Sequence, residues 1–321
     1  MTIALPLISR RRLDRQRLQD AAFRGATRLF AVGVLVLLGG IVVTLAFSAA
    51  PAFERFGWGF LTSAAWNPVK DDFGALPAIY GTLVTSAIAM LIGIPVALGI
   101  AVFLTELCPP PLRRPIGTLV ELLAAIPSII YGIWGLFVLA PFLQLTVEPL
   151  LIDTFGQLPI FGPLFDGPPL GLGMLTGGII LGVMVLPFIS AVARDVFLTV
   201  PPMLRESAYG VGATTSEVVN NIVLPYTRTG VIGGVMLGLG RALGETMAVT
   251  FVIGNAHHIR LSLLAPGTTI SATLANEFTE ALSKLYVSSL FALGFILFVI
   301  TFIVLAAAKL MLLRLEQQAA K

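Results

Sequence analysis

The stretch TVPPMLRESAYGVGATTSEVVNNIVLPYTRTG, Thr199 to Gly230, interrupts a chain dominated by long apolar runs. Its punctuation is that of two short helices. Thr199 is placed to cap a helix that begins near Pro201, where proline's missing N–H does no harm. Gly210 and Gly212 suit the end of that helix. Thr214, three residues ahead of Glu217, makes a capping-box pattern. It predicts a second helix from Thr215 to Leu224 that stops at Pro225. A plain connector has no need of two capped helices, so this loop is expected to be an ordered helix–turn–helix.

The rest of the chain says where that loop sits. Its 321 residues are 57% hydrophobic and 12% charged, with mean hydropathy +0.95. Soluble domains carry about 25% charged residues. Half that value, with continuous apolar runs of about twenty residues, predicts an all-α, polytopic membrane protein. A β-barrel would read as short alternating segments instead. The single cysteine, Cys108, excludes an intramolecular disulfide. His257 and His258 have no ligand partners at metal spacing and read as surface-loop residues.

Six spans are predicted, at 28–49, 78–104, 116–140, 171–197, 229–253 and 287–308. The first follows a basic segment, 1–27, and Ser48-Ala49-Ala50 looks like a cleavage site. Its apolar run is too long for a signal peptide, and an uncleaved span is expected. With the N-terminus inside, the inner face collects Arg10, Arg11, Arg12, Arg15, Arg17, Arg24, Arg28, Arg113, Arg114, Arg194, Arg205, Arg228, Lys309, Arg314 and Lys321. The outer face collects Arg55, Lys70, Arg260 and Lys284. That asymmetry puts both termini, including the tail 309–321, on the cytoplasmic side. The outer loop 50–77 is rich in Phe and Trp, as interfaces are. Residues 270–285 carry a stripe of Ile270, Leu274, Phe278 and Leu282, expected to form an amphipathic helix on the outer surface. Pro95, Pro127 and Pro187 bend their spans, as structural kinks or as gating hinges. Gly230, Gly234 and Gly238 recur every four residues and predict a close helix–helix approach.

The loop carries a resemblance. Glu206-Ser207-Ala208, then Gly212, then nine residues, then Ile222-Val223-Leu224-Pro225 resembles the EAA loop of ABC-transporter permeases, with Ser207 the one departure. "ELLAAIPSIIYGIWGLFVLAPF" (Glu121–Phe142) and "GLGRALGETMAV" (Gly238–Val249) look like the phosphate-specific transport (Pst) permeases, in their PstC-type branch. The resemblance covers most of residues 75–308. It implies a type I ABC importer permease fold over 78–308, with 201–224 as the coupling segment that docks on an ATPase through Glu206, Ala208 and Gly212. It also implies a second permease (PstA-type), two ATPase subunits (PstB-type) and an extracytoplasmic phosphate-binding protein (PstS-type). No Walker A motif occurs in the sequence, so this chain is expected to be no enzyme and to bind no cofactor. ATP and Mg would belong to the partner ATPase.

Two charges stand inside the fifth span. An arginine at the centre of a membrane helix costs about 2.5–3.5 kcal/mol. Arg241 and Glu245 are four residues apart, so a continuous helix would let them pair. An intramembrane pair is a functional-site hypothesis by default. A guanidinium fork suits a phosphate oxyanion, and Glu245 would then serve release or selection. The rival reading has both residues only tying helices together. Arg194 and Asp195 close the fourth span as an inner anchor, with an exit-path contact to the anion as the other reading of Arg194. Glu121 reads equally as a snorkelling or capping residue and as a transport residue, and Tyr131 and Trp134 read as packing residues. The function expected is phosphate import driven by a partner ATPase. A permease for sulfate or molybdate, a stand-alone secondary transporter or channel, and a membrane scaffold remain as alternatives.

Overall fold

The structure is a computed structural model. It describes residues 10–159 and 161–319, with side chains from 17 to 159 and 161 to 314. The side chains of Arg10, Arg11, Arg12 and Arg15, the whole of Lys321 and most of the basic N-terminal segment's first half lie outside the described residues.

The chain divides into two units, Met1–Ser48 and Ala49–Lys321. The described part of the first belongs to helix α1 (Arg10–Phe56), which does not break at residue 28 or 49. In the second unit a short helix, α2 (Gly59–Thr62), leads into a two-stranded hairpin of β1 (Trp66–Asn67) and β2 (Asp72–Phe73). The strands pair antiparallel with Trp66 opposite Phe73. The Asn67 side chain accepts from the N–H groups of Val69 and Lys70 and so closes the turn. Then come α3 (Leu76–Val102), α4 (Pro110–Ala124), α5 (Ser128–Phe155), α6 (Met174–Phe197), α7 (Pro202–Gly210), α8 (Thr215–Gly244), α9 (Met247–Thr250), α10 (Ile270–Glu277) and α11 (Lys284–Ala319). Six helices are long and apolar enough to cross a membrane, namely Arg17–Phe56, Leu76–Leu107, Ser128–Phe155, Met174–Phe197, Thr215–Gly244 and Lys284–Arg314.

Helix α6 is the central element, with 61% of its apolar window buried. Ile180, Leu181, Met184, Val185 and Ile189 pack against Ala89 and Met90 of α3, Tyr131 of α5, Ala242 of α8, and Val249 to Ile253. The three predicted glycines bring α8 onto it. A β-carbon at Gly230 would stand 2.5 Å from Val196, one at Gly234 3.0 Å from Val192, and one at Gly238 2.6 Å from Ile189. The two helices therefore run antiparallel, and their registers are locked together. A second core lies at the opposite, outer end, where Phe53, Phe60 and Phe73 meet Leu290 and Leu293 of α11.

Several expectations need correction. The third span is not 116–140. Pro127, with ψ 135°, separates two helices. The polar positions of 110–124, among them Arg113, Arg114, Thr118 and Glu121, fall on one side of the amphipathic α4, so the true span starts at Ser128 and runs to Phe155. The second helix of the 199–230 loop does not stop at Pro225 but continues unbroken as α8. A π-turn at Val219–Val223 absorbs the proline. The same device recurs at Phe103–Leu107 before Pro109, at Gly135–Leu139 before Pro141, and at Leu143–Val147 before Pro149. Proline lacks an N–H and its ring excludes the carbonyl four residues back, and a widened turn accommodates both defects. Thr199 caps nothing. Its hydroxyl donates back to Val196 O at 2.7 Å. The 270–285 stripe is not one surface helix either. Helix α10 ends at Glu277, Ile270 to Thr273 are buried, and the Ile270 N–H donates to Thr82 Oγ1 of α3. Leu282 is left outside the helix and exposed.

Gly234→Leu should lower the melting temperature sharply, since overpacking costs about 1–3 kcal/mol. Gly233→Ala, where no atom lies within 4 Å of the new β-carbon, should leave it unchanged. Equal melting curves for the two variants would show that the α6–α8 contact is loose.

Candidate functional site

Helix α8 ends at Gly244, in the middle of the fold. Glu245 has ψ 134°, and the chain resumes as the single turn α9. The register with α6 fixes the depth. Gly238 lies against Ile189, and the Arg241 guanidinium carbon sits 4.3 Å from the centre of the Phe188 ring. Phe188 lies near the midpoint of α6, so Arg241 is at mid-span, as its place in the sequence implies. The pairing with Glu245 does not form. No N···O contact within 4.0 Å joins them among the described residues. The turn at Glu245 carries its carboxylate forward, where it accepts from the Ala248 N–H at 3.3 Å. The i,i+4 geometry fails because the helix stops between the two residues.

Arg241 is thus a half-buried cation with no carboxylate beside it, and its Nε has no hydrogen-bond partner. The Phe188 face returns about 0.5–2 kcal/mol. The negative end of α8 returns about 0.3–1 kcal/mol. Together these roughly match the insertion cost of about 2.5–3.5 kcal/mol only at their upper limits, and they supply no acceptor. The site therefore keeps a cation with an open donor beside the helix break.

Broken backbone at membrane depth is tolerated only where protein or a water-filled cavity satisfies it. Here the outer part of the break is satisfied by the chain itself. Gly173 N–H donates to Val252 O, Gly267 N–H to Ile253 O, and Leu175 N–H to Leu263 O. Gly132 and Gly135 of α5 let α9 and Val252 approach. Gly81 admits the Thr268 carbonyl where any side chain would collide with it. Tyr131 is a packing residue as expected, with its hydroxyl donating to Leu123 O, while Trp134 is half-exposed. Glu148, absent from the sequence reading, is buried and accepts from the Gly171 N–H at 2.9 Å, fixing the α5–α6 connection.

At the inner end, Arg194 pairs with Glu121 at 2.6 Å and with Asp195 at 3.0 Å. Glu121 is therefore a helix-to-helix tie rather than a cap, and Gly117 makes room for the guanidinium. Apart from Thr199, the loop has the turn and the cap that the sequence predicts. Gly212 takes φ +89°, and Thr214 and Glu217 form a full capping box. Glu206, Ser207, Gly212 and Pro225 are exposed, Ala208, Ile222 and Leu224 half-buried. Met203 and Val211 stand out at 75% and 87% exposure, an apolar patch of the kind that marks a docking surface. Val218 and Val223 anchor the loop on Phe197 and Val200. Sequence reasoning missed a further anchor. Arg205 Nη2 lies 3.1 Å from Glu106, whose side chain is only 6% exposed, and donates to Phe197 O at 2.6 Å. The charge pair itself falls short of hydrogen-bond geometry at Glu106 Oε1. It ties α7 to the inner end of α3.

At the opposite end of the bundle, His257 lies in a loop, as expected, but it is not a surface residue. Its ring stacks on Trp66 at 5.0 Å, and its Nε2 lies 2.7 Å from Glu277. Glu277 also accepts from Trp66 Nε1 at 2.6 Å and Tyr286 Oη at 2.7 Å. One carboxylate thereby joins the hairpin, the 251–269 segment, α10 and α11.

A six-span helical bundle with a mid-membrane helix break and a protruding, capped helix–turn–helix defines a transport permease of the kind that works with separate subunits. The chain belongs to the family described as "Binding-protein-dependent transport system inner membrane component", whose profile matches residues 93–317. It is 62% identical to the "Phosphate transport system permease protein PstC" of Mesorhizobium japonicum, over 98% of this chain and 97% of that one. It is 54% identical to the protein of the same description from Pasteurella multocida, over 93% of each. Among solved structures, the bacterial alginate ABC transporter in complex with alginate pentasaccharide-bound periplasmic protein aligns with TM-score 0.61 at 18% identity, over 95% of this chain and 98% of that one. The MetNI methionine ABC transporter in inward-facing form aligns with TM-score 0.55 at 17% identity, over 73% and 93%. These two likenesses concern the fold. The chain is thus a multi-pass membrane permease subunit of an ABC transport system.

Burial pushes the Glu277 carboxyl up, but the hydrogen bonds from His257, Tyr286 and Trp66 outweigh it and hold the carboxyl below the ordinary carboxylate range. A group with a depressed folded-state value adds stability above its unfolded value and loses it as pH falls through the folded one. Glu277→Gln should therefore melt below the parent protein at neutral pH, and the gap should close below about pH 4. A gap independent of pH would show that the carboxylate charge is not what joins these elements.

Proposed function

We propose that this chain is the phosphate-conducting permease subunit of an ATP-driven importer, a PstC-type protein. The observation that carries the reading is the unpaired Arg241 guanidinium beside the mid-membrane break at Gly244. A bidentate donor in a low-dielectric passage favours a tetrahedral oxyanion. The phosphate cargo named in the relatives' descriptions matches that chemistry. Glu245, held one turn away on Ala248 N–H, is placed to take the guanidinium when the anion leaves. Arg194 belongs to the same route at its inner end, where its carboxylate partners keep it from trapping the anion.

The apolar tip around Met203 and Val211, with Glu206, Ser207, Ala208 and Gly212 beside it, is the surface for an ATPase subunit of PstB type. Ile222, Leu224 and Pro225 set the loop on the membrane domain. A PstA-type permease completes the passage, and a PstS-type binding protein delivers phosphate from the other side. ATP and Mg stay on the ATPase. The excess of arginine and lysine on the loop side supports a cytoplasmic position for that face and for both termini in a bacterial cell membrane.

Arg241→Leu in the complete complex, reconstituted in vesicles, separates a pathway role from a packing role. Subunit assembly should be unchanged, and phosphate uptake should fall by about tenfold or more, the scale of a lost charge-assisted contact. Arg241→Lys, a point charge without the fork, should retain part of the uptake. Failure of Arg241→Leu to assemble, or full uptake by it, would leave the residue as a helix tie.

A further inference from the structure

The inner ends of α3, α4 and α6 border a cavity of about 380 Å³, of which the transport reading uses Arg194 alone. Thr105, Arg113, Arg114, Thr118, Glu121 and Arg194 line it. Three guanidinium groups thus face one carboxylate. The Arg194 charge is already matched by Glu121 at 2.6 Å and Asp195 at 3.0 Å. Arg113 and Arg114 are not matched. Neither has a carboxylate within 4.0 Å among the described residues. Arg113 Nε is shielded from solvent and has no hydrogen-bond partner. A shielded donor on a cation without an acceptor is among the more expensive polar defects a fold can carry. It persists where an outside anion supplies the acceptor.

The cavity is also shaped for its arginines. A β-carbon at Gly117 would come within 2.9 Å of Arg194 Nη1, so the glycine is what lets that side chain lie across α4. Thr105 Oγ1 is committed to the Ala101 carbonyl at 3.0 Å, which leaves the donors of Arg113 and Arg114 and the Thr118 hydroxyl for a ligand. Two unmatched positive charges complement a dianion. The Glu121 carboxylate lies on the same wall and accepts from a ligand that keeps a proton. Monohydrogen phosphate keeps one at neutral pH, whereas sulfate and the dianion of a phosphomonoester, whose second pKa is about 6, do not.

We propose that this cavity is a second binding site, on the inner side of the permease, for a phosphate-type dianion held by the forks of Arg113 and Arg114, with Glu121 reading its P–OH group. Free inorganic phosphate has both features, and the phosphomonoester headgroup of a lipid shares the dianionic oxygens that the two forks bind. The site goes beyond the transport reading and shares with it the orientation and Arg194.

The test places a cysteine at Thr118 in the complete complex and follows its labelling by a maleimide. The native Cys108 is buried, and the parent complex gives the background. In detergent, inorganic phosphate should slow labelling by about tenfold once it exceeds its dissociation constant about tenfold. Sulfate should slow it less. In nanodiscs without free phosphate, phosphatidic acid should slow it where phosphatidylcholine does not, if the headgroup is the ligand. Protection in either arm supports the site and identifies the source. Arg113→Gln with Arg114→Gln should abolish that protection, and the lysine pair should restore part of it. If the cysteine variant does not assemble, the phosphate-dependent shift in melting temperature is compared between the unmodified complex and the glutamine pair, which should show a smaller shift. No protection in either arm, or protection and shift unaltered by the glutamine pair, overturns the proposal. Labelling does not depend on transport, so a complex that protects Thr118→Cys but imports no phosphate would fault the transport reading alone.

Discussion

The close approach of α8 to α6 is the contact on which the rest depends. Three glycines let the helices slot valine and isoleucine side chains of one against the bare backbone of the other. Lipid offers no hydrophobic drive for helices to associate, so van der Waals fit must supply it. The fit also sets register. Because Gly238 meets Ile189, Arg241 must meet Phe188, and the helix end at Gly244 must fall midway through the membrane. A slip by one turn would carry the arginine toward an interface, where it would have water and no purpose.

From that placement the second constraint follows. A helix that stops in lipid leaves carbonyls and N–H groups unpaired, and each must find a partner inside the protein. The segment from Val249 to Thr273 answers this by folding back among the outer ends of α3, α5 and α6. Its backbone bonds run to Gly173, Leu175 and Leu164, and its buried hydroxyls bond among themselves, as Thr268 does with Thr273 at 2.9 Å. The polar side chains in this part of the sequence are therefore structural mortar around the break. Arg241 is the exception, with a donor left open.

Local signals were legible in the sequence at the 210–217 turn, though not at Thr199, whose hydroxyl bonds back to Val196 O and caps nothing. The Thr214–Glu217 box and the left-handed Gly212 form as their residues dictate. The glycine stripe also read through, because a period of four is a property of one helix. Features that needed a partner did not. His257 looks unremarkable until Glu277, twenty residues on, and Trp66, far upstream, surround it. Arg205 and Glu106 are separated by two whole spans. Hydropathy placed the third span too early because Leu119 to Ile126 are apolar enough to pass for lipid-facing residues, and the cue against it was Pro127. The Arg241–Glu245 pairing rested on helical continuity, and Gly244, a favoured helix-ending residue, was the warning. Pro225 misled in the opposite sense, since a widened turn carries the helix through it.

The joint between Arg205 and Glu106 bears on how motion would cross the inner surface. It clamps the short α7 to the base of α3, while the capping box and Val218 fix the start of α8 on the same footing. A displacement applied at Glu206 would thus meet no slack linker that could soak it up. It would arrive at two membrane-crossing rods together, and one of them ends beside Arg241. Levers of this kind trade a small stroke at the rim for a change in the surroundings of a single guanidinium at the core.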